Sequence, residues 1–580
     1  MLGRKIQMVK WFLLAGFLFA LVGEGGARGK IHLEFDHYAD YPELTQDLKA
    51  LAAAYPKFLT LNSVGKSYQG REIWEMTVNN PDTGPDLSKP AMYIEANVHG
   101  NEVQGGEVCL YTIQFLMENY GKNKKITRLV DTRAFYILPT VNPDGRAWWF
   151  EHPNTMHSSR SIQRPWDDDN DGLVDEDGYD DLDGDGEILM MRKKVPYGNF
   201  KQDPQDPRIM VRVRPGEKGD YIFLGYEGID NDGDGRINED PPGGYDPNRN
   251  WPSLDWQPNY VQRGAGEFPL SNPESYAVTQ FLLAHPNIAG VQSFHNSGGM
   301  ILRGPGSKSV HYPGSDARVY DYIGKTGEEI LPFYRYMIIY KDLYPARGGF
   351  VTFTYETLGI FSFTNELWSS RQYFDKQPEK SRRSWYATTS RERLKYEDLV
   401  DFGAYFVKWK PFKHPTYGDI ELGGWRKMTN RINPPYTLPE LCHRNMAFTL
   451  FHAEQMPKIS IQKVERQKLG RNTFRIRVAV ANDGTIPTIS AQAAQNHIFR
   501  PDLLSISGKN LHVLSAAKVL NPWLNRVQPV EKRVNPIVVR KGIPGLSQVT
   551  FQWVVEGKGS ATITFDAIKG GKVKKTIVLK

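Results

Sequence analysis

The chain has 580 residues, of which 40% are hydrophobic, 12% aromatic and 24% charged, and its formal net charge is +6. That length is too great for one ordinary core and predicts two domains or one enlarged one. The globular composition, the small net charge and the lack of a Lys/Arg-rich block argue against a nucleic-acid partner.

The N-terminus carries Arg4, Lys5 and Lys10, then the apolar run Trp11–Gly23 (WFLLAGFLFALVG) and small residues up to Ala27. A basic region, an apolar core and a cleavage zone in that order read as a signal peptide over 1–27. The run is too short to span a bilayer comfortably, and no later run is long enough for a transmembrane helix. The expected protein is therefore exported and soluble, either secreted or periplasmic/extracellular.

Within His32–Val78 a helix pattern (LTQDLKALAAAY) precedes two short strand patterns, LTLNSVGKS and EIWEMTV. Ala91–Val98 reads as a buried strand and Glu102–Tyr120 as an amphipathic helix. Ala134–Leu138 is another strand, Glu274–Ala284 a helix and Ile288–Phe294 a strand. Strands that alternate with helices predict an α/β layer structure around a largely buried sheet. After about Met456 the texture changes to β-branched, alternating strands such as TFRIRVAVAN and QVTFQWVVE, which predict an all-β sandwich. That region holds His497 and His512 but no metal-ligand spacing. Cys109 lies in an apolar helical pattern and reads as a buried free thiol; whether it pairs with Cys442 is not readable from spacing.

Three acidic, glycine-punctuated segments lie within Pro153–Pro242: DDDNDGLVDED (Asp167–Asp177), DLDGDGE (Asp181–Glu187) and DNDGDGRINED (Asp230–Asp240). Each places alternate carboxylates on a tight turn: Asp167, Asp169 and Asp171; Asp181, Asp183 and Asp185; Asp230, Asp232 and Asp234. Calcium favours six to eight such hard oxygens. The glutamate that closes a full twelve-residue calcium loop is missing in all three, where Gly178, Arg192 and Pro241 stand. They resemble the shorter calcium loops of extracellular proteins, so calcium is an expected second ion.

Ala91–Ala96 runs into His99-Gly-Asn-Glu102. A catalytic zinc takes three protein ligands and keeps one open position. His99 and Glu102 could supply two of them, and the third should be a distant histidine at a strand end. Among the 13 histidines, His295 follows the strand IAGVQSF and precedes the turn NSGG.

The neighbouring motifs decide how that triad is read. In order come HGNE, NPDGR (Asn142–Arg146), Arg192-Lys193, NRNW (Asn248–Trp251), SFHNSGG (Ser293–Gly299) and Tyr344–Trp368 with its SFTNE core. This ordered set resembles the zinc metallocarboxypeptidase family of the carboxypeptidase A type, over roughly His32 to Gln455. The resemblance implies a mixed central sheet flanked by helices, in a catalytic domain over 28–455 that carries the acidic calcium-loop insertion at about 153–242. A C-terminal β-sandwich domain over 456–580 follows.

The resemblance also implies roles. His99, Glu102 and His295 match the zinc ligands. Asn248 and Arg249 match the pair that grips the substrate's terminal carboxylate, a task suited to a guanidinium fork and an amide. Tyr344 matches the tyrosine that closes over it. Glu366 matches the general base, which moves a proton from the zinc-activated water to the leaving amine. Arg192, in MMRKK, matches the arginine that stabilises the oxyanion, with Arg212 and Arg214 as competitors in the same interval. Val351 aligns with the floor of the specificity pocket and, with Phe350, argues for an apolar or aromatic C-terminal residue; nearby Arg347 would instead favour an acidic one.

The implied function is an exported zinc-dependent carboxypeptidase acting on peptides or proteins with a free C-terminal carboxylate. The alternatives are a peptidase of bacterial cell-wall peptides and an inactive, calcium-dependent surface binding protein on the same fold. No large inhibitory segment is seen after the signal, so activity without processing is expected. Calcium in the insertion is expected to order the segment that bears Arg192.

Overall fold

The computed structural model describes residues 31–368, 390–429 and 431–580; the expected signal peptide lies outside them. One eight-stranded sheet carries most of the site's side chains. Its strands are β1 (Leu59–Lys66), β2 (Glu72–Val78), β3 (Ala91–Ala96), β4 (Ala134–Leu138), then, after an insertion, β9 (Ile288–Asn296), β10 (Met300–Arg303), β11 (Arg335–Ile338) and β12 (Phe361–Leu367). The insertion supplies β5 (Met190–Gly198), β6 (Phe200–Gln202), β7 (Met210–Arg212) and β8 (Gly219–Tyr226).

The order across the large sheet is β1-β2-β4-β3-β9-β12-β10-β11. Its centre is parallel: β3 pairs with β4 and β9, and β9 with β12, whereas β1, β2 and β10 join antiparallel. Both faces are covered by helices, which is why β3 (AMYIEA) and β9 are buried along their whole length and read as continuous rather than alternating strands. Helices α1 (Tyr41–Ala54) and α2 (Gln104–Asn119) bury Leu44, Leu48, Val108, Ile113 and Leu116 against one face. On the other face, a helix over Phe350–Glu356 packs Phe350 and Phe353 with the fully buried Trp251. The expected elements are all present, with ends shifted by up to three residues.

One feature departs from the expectation. The acidic insertion is not loops alone: β5 to β8 join β13 (Phe406–His414) and β14 (Gly418–Trp425) in a second sheet of order β13-β14-β5-β8-β6-β7. The periodicity of these short strands is broken by register shifts, for example between Lys194 and Gly198, so no alternation announces them. From Ile459 onward the chain forms a five-stranded and a four-stranded sheet whose inner faces share Phe474, Ile476, Trp553, Ile563 and Phe565, the expected β-sandwich. It docks on the large sheet through Lys569, which donates to Ile288 O at 2.6 Å. Cys109 and Cys442 are both buried and free.

Candidate metal centre and active-site cleft

In a parallel sheet, ligands gather at the carboxyl ends of the strands. Here β3, β9 and β12 end side by side. His295 and Glu366 are register partners at the ends of β9 and β12, and His99 and Glu102 follow the end of β3. The glycines around HGNE permit this crowding. A Cβ on Gly105 would sit 2.7 Å from Ala96 Cβ and 2.8 Å from Phe294 Cβ, so α2 could not start this close to the sheet with any larger residue there.

NPDG proves to be scaffold. Asn142 caps the helix Pro143–Glu151 by accepting from Gly145 N at 2.9 Å, Pro143 occupies its first turn, and Asp144 accepts from Ser67 Oγ and Gln69 N. Gly145 then lies against Gly100.

His99, Glu102 and His295 converge with 3% or less exposure each. His295 Nδ1 lies 2.9 Å from Glu102 Oε2 and 3.1 Å from His99 Nδ1, and His99 Nδ1 lies 3.0 Å from Glu102 Oε2. Two imidazole nitrogens and a carboxylate oxygen thus face one point, a donor set that fits zinc with one position left open. Two of the donors are oriented from behind: Asp246 Oδ1 is 3.1 Å from His99 Nε2, and Arg431 donates to Glu102 Oε1 at 2.6 Å. Burial opposes charge on Glu102, yet His99 and His295 hold its carboxyl well below the usual range. The same holds for Asp246, where burial is outweighed by Arg160, Arg249 and His99.

This triad floors a cleft of about 410 Å³ that is also lined by Arg160, Asn248, Arg249, Tyr344, Val351, Glu366 and Arg431. Asn248 and Arg249 stand on one short turn, capped by Asp246 and anchored by buried Trp251. Tyr344 is half-exposed at the cleft, and Val351 is buried at the first turn of its helix. Burial, and then the charge of Glu102, raise the Glu366 carboxyl to about 7, against the opposing pull of His295, Arg431 and Arg160.

Arg192 is a correction. It is buried in the second sheet, where its Nε donates to Glu421 Oε2 at 2.7 Å and its guanidinium lies over Trp409 and Tyr221, so it does not reach the cleft. Arg212 and Arg214 are exposed on the same insertion. The arginine that does line the cleft from this interval is Arg160, 3.3 Å from Glu102 Oε1 and bonded to Asp246. Arg431 and Asp246 were missed as well. Asp246 could have been found from its place two residues before Asn248, but Arg431 stands far along the chain in no motif.

The zinc carboxypeptidase family pattern matches residues 44–171 and 225–390. The chain belongs to the zinc carboxypeptidase family. Its fold is the zinc carboxypeptidase fold, and zinc is the metal the family implies for His99, Glu102 and His295. The break in the match removes β5 to β7, and the match ends before β13, so the second sheet lies largely outside what the family shares. Residues 458–578 match a domain of unknown function.

Among curated relatives, carboxypeptidase D of Homo sapiens is 36% identical over 109 residues, 19% of this chain and 8% of that protein. A zinc carboxypeptidase of Saccharothrix mutabilis subsp. capreolus is 35% identical over 108 residues, 19% of this chain and 25% of that one. The chain thus matches a quarter or less of these relatives' length. Among solved structures, carboxypeptidase A from Helicoverpa armigera has a TM-score of 0.39 at 20% identity, covering 61% of this chain and 69% of that one. The murein-tripeptide amidase of Escherichia coli O157 has a TM-score of 0.24 at 12% identity, covering 53% and 81%.

Proposed function

We propose that the protein is an exported zinc carboxypeptidase that hydrolyses the C-terminal peptide bond of peptides or proteins. The observation that carries this reading is the convergence of His99, Glu102 and His295 in a cleft that also holds Asn248, Arg249 and Glu366. Export rests on the basic and apolar N-terminal run. Among the described residues no helix is long and apolar enough to cross a membrane.

Arg249 and Asn248 bind the terminal carboxylate through a guanidinium fork and an amide, and Tyr344 closes over it. The terminal side chain enters the apolar end of the cleft, lined by Met300, Leu302, Ile339, Leu343 and Val351. Arg160 takes the part expected of Arg192 and donates to the scissile carbonyl oxygen as it gains charge. His99, Glu102 and His295 would hold the zinc, which when bound would supply Lewis acidity at that carbonyl and the attacking water. Glu366 accepts a proton from the water as its oxygen bonds to the carbonyl carbon. It then delivers that proton to the leaving nitrogen as the C–N bond breaks.

Cleavage of bacterial cell-wall peptides is the second reading. It is supported by the Asn248–Arg249 pair in the cleft, since cell-wall peptide stems also end in a free carboxylate. The binding-protein reading is disfavoured because no member of the set is replaced. The acidic segments are read as calcium sites. The test is hydrolysis of blocked dipeptides that differ only in the C-terminal residue, wild type beside Glu366→Gln. Cleavage by the wild type alone supports the proposal. No cleavage of any dipeptide, with zinc bound, overturns it in favour of the cell-wall or binding readings.

A further inference from the structure

We propose that Asp167–Asp177 and Asp230–Asp240 form one paired calcium site, in which Asp177 supplies a carboxylate to the second loop, Asp232 supplies one to the first, and Asp240 closes the junction. The proposal rests on the calcium reading above and specifies where and how the ions are held.

The two segments, DDDNDGLVDED and DNDGDGRINED, correspond residue by residue. They also fold alike. The same three positions are left-handed in both: Asn170 and Gly233 (φ 70 and 90), Gly172 and Gly235 (99 and 93), Asp175 and Asn238 (55 and 60). Gly172 N donates to Asp167 Oδ2 at 3.1 Å, and Gly235 N to Asp230 Oδ2 at 3.0 Å. Tight acidic turns of many kinds share such geometry, so it decides nothing by itself.

The junction decides it. Asp177 and Asp240 form an isolated antiparallel bridge, with Asp240 N donating to Asp177 O at 3.2 Å. Both side chains are fully buried, and each leaves Oδ2 without a partner. Glu239 lies against Asp177 and Glu176 against Asp240, so acceptors face acceptors across the pseudo-symmetric pair. Neither oxygen of Glu239, nor Oε2 of Glu176, has a hydrogen-bond partner. The nearby arginines serve other carboxylates: Arg236 reaches Asp169 and Asp234, and Arg263 reaches Asp168. Such a group of buried carboxylates is repulsive unless a cation or protons sit among them. In keeping with that, burial and neighbouring acids raise the carboxyls of Asp240 and Glu239 to about 7.

The ligand atoms are already gathered. Asp177, Asp230 and Asp232 each bring a carboxylate oxygen within 4.8 Å of the others, and so do Asp171, Glu176 and Asp232, and Asp167, Asp169 and Asp171. The first two sets mix residues of both loops, so neither loop is complete alone. A donor set made only of oxygens suits calcium and not zinc.

Isolated contacts link the junction to the cleft: Asp240 Oδ1 accepts from Asp168 N, Ile162 and Tyr245 form an antiparallel bridge, and Arg160 donates to Asp246. Calcium at the junction would therefore fix the base of the segment that presents those two residues.

The experiment is calcium binding by the full chain, freed of metal and reloaded with zinc, read by titration calorimetry with CaCl2 and by hydrogen exchange of the two segments. The expected result is that calcium protects both segments together, and that Asp177→Asn and Asp240→Asn each weaken binding about tenfold or more although neither lies in a D-x-D-x-D-G core. Protection of one segment without the other, or unchanged affinity in both variants, overturns the pairing and leaves the calcium reading standing. No calcium binding by the wild type removes both. If a variant fails to fold, the exchange pattern of the wild type with and without calcium decides alone.

Discussion

Arg160 donates from Nε and Nη2 to Asp246 Oδ2, both at 3.1 Å, while the other oxygen of Asp246 lies 3.1 Å from His99 Nε2. One carboxylate thus fixes both a candidate metal ligand and the arginine proposed to face the scissile carbonyl. Arg160→Ala should lower kcat by about 100- to 1,000-fold, the usual effect of losing an oxyanion donor. Arg192→Ala should leave kcat within a few-fold and lower stability, because it removes the partner of Glu421 and a cation stacked on Trp409. Steady-state kinetics at full zinc content would check both; the reverse ranking would restore Arg192.

Glu366→Gln should retain zinc, because Glu366 is not among the converging donors, and lose roughly 100- to 10,000-fold in kcat for want of a proton acceptor. Metal analysis beside kinetics separates this outcome from simple loss of the ion.

The pH profile follows from the same residue. Burial and Glu102 raise the Glu366 carboxyl to about 7 without the ion. The base works when ionised, so activity is lost as pH falls through its pKa. The positive charge of zinc favours the ionised form, so the acidic limb of kcat/KM should lie below about 7. A limb clearly above 7 would assign the titration to another group.

Val351 lines the cleft together with Met300, Leu302, Ile339 and Leu343. Substrates ending in Leu or Phe should be preferred over those ending in Asp or Lys. Val351→Asp should reduce kcat/KM for the apolar substrates by about tenfold or more and favour Lys or Arg. A wild-type preference for acidic ends would point to Arg347 instead.

Lys569 ties the β-sandwich to Ile288 O, and burial lowers its ammonium to about 7. The unfolded chain keeps its proton up to about 10.4, so between these values the unfolded state binds more protons and stability rises with pH. Between pH 7 and 9 the wild type should gain about 2 kcal/mol relative to Lys569→Met. Urea unfolding at the two pH values measures the difference, and equal slopes would show that the lysine stays charged when folded.

The separation of motif from geometry is clearest in the interval between NPDG and NRNW. MMRKK has the local look of a catalytic arginine, and SSRS around Arg160 does not. A local pattern cannot show that β5 pairs Arg192 with Glu421 of β14, more than two hundred residues later. Conversely, the ordered motifs HGNE, NRNW, SFH and FTNE did carry the triad and its neighbours, because three stand at or just after a strand end and NRNW on a turn capped by Asp246, where a short segment sets where its side chains point.

The sequence by itself determined the α/β body, the β-sandwich and the residues that meet as His99, Glu102, His295, Asn248, Arg249 and Glu366. The body and the sandwich depend on hydrophobic periodicity within a few residues, whereas the site residues were legible through the resemblance of the ordered motifs to the zinc metallocarboxypeptidase family. Only the tertiary structure decided that Arg160, Asp246 and Arg431 surround them, that Arg192 does not, and that two acidic loops share one junction. Those relations depend on pairings between distant segments, and a buried carboxylate or guanidinium takes its role from whichever partner the fold brings within about 3 Å.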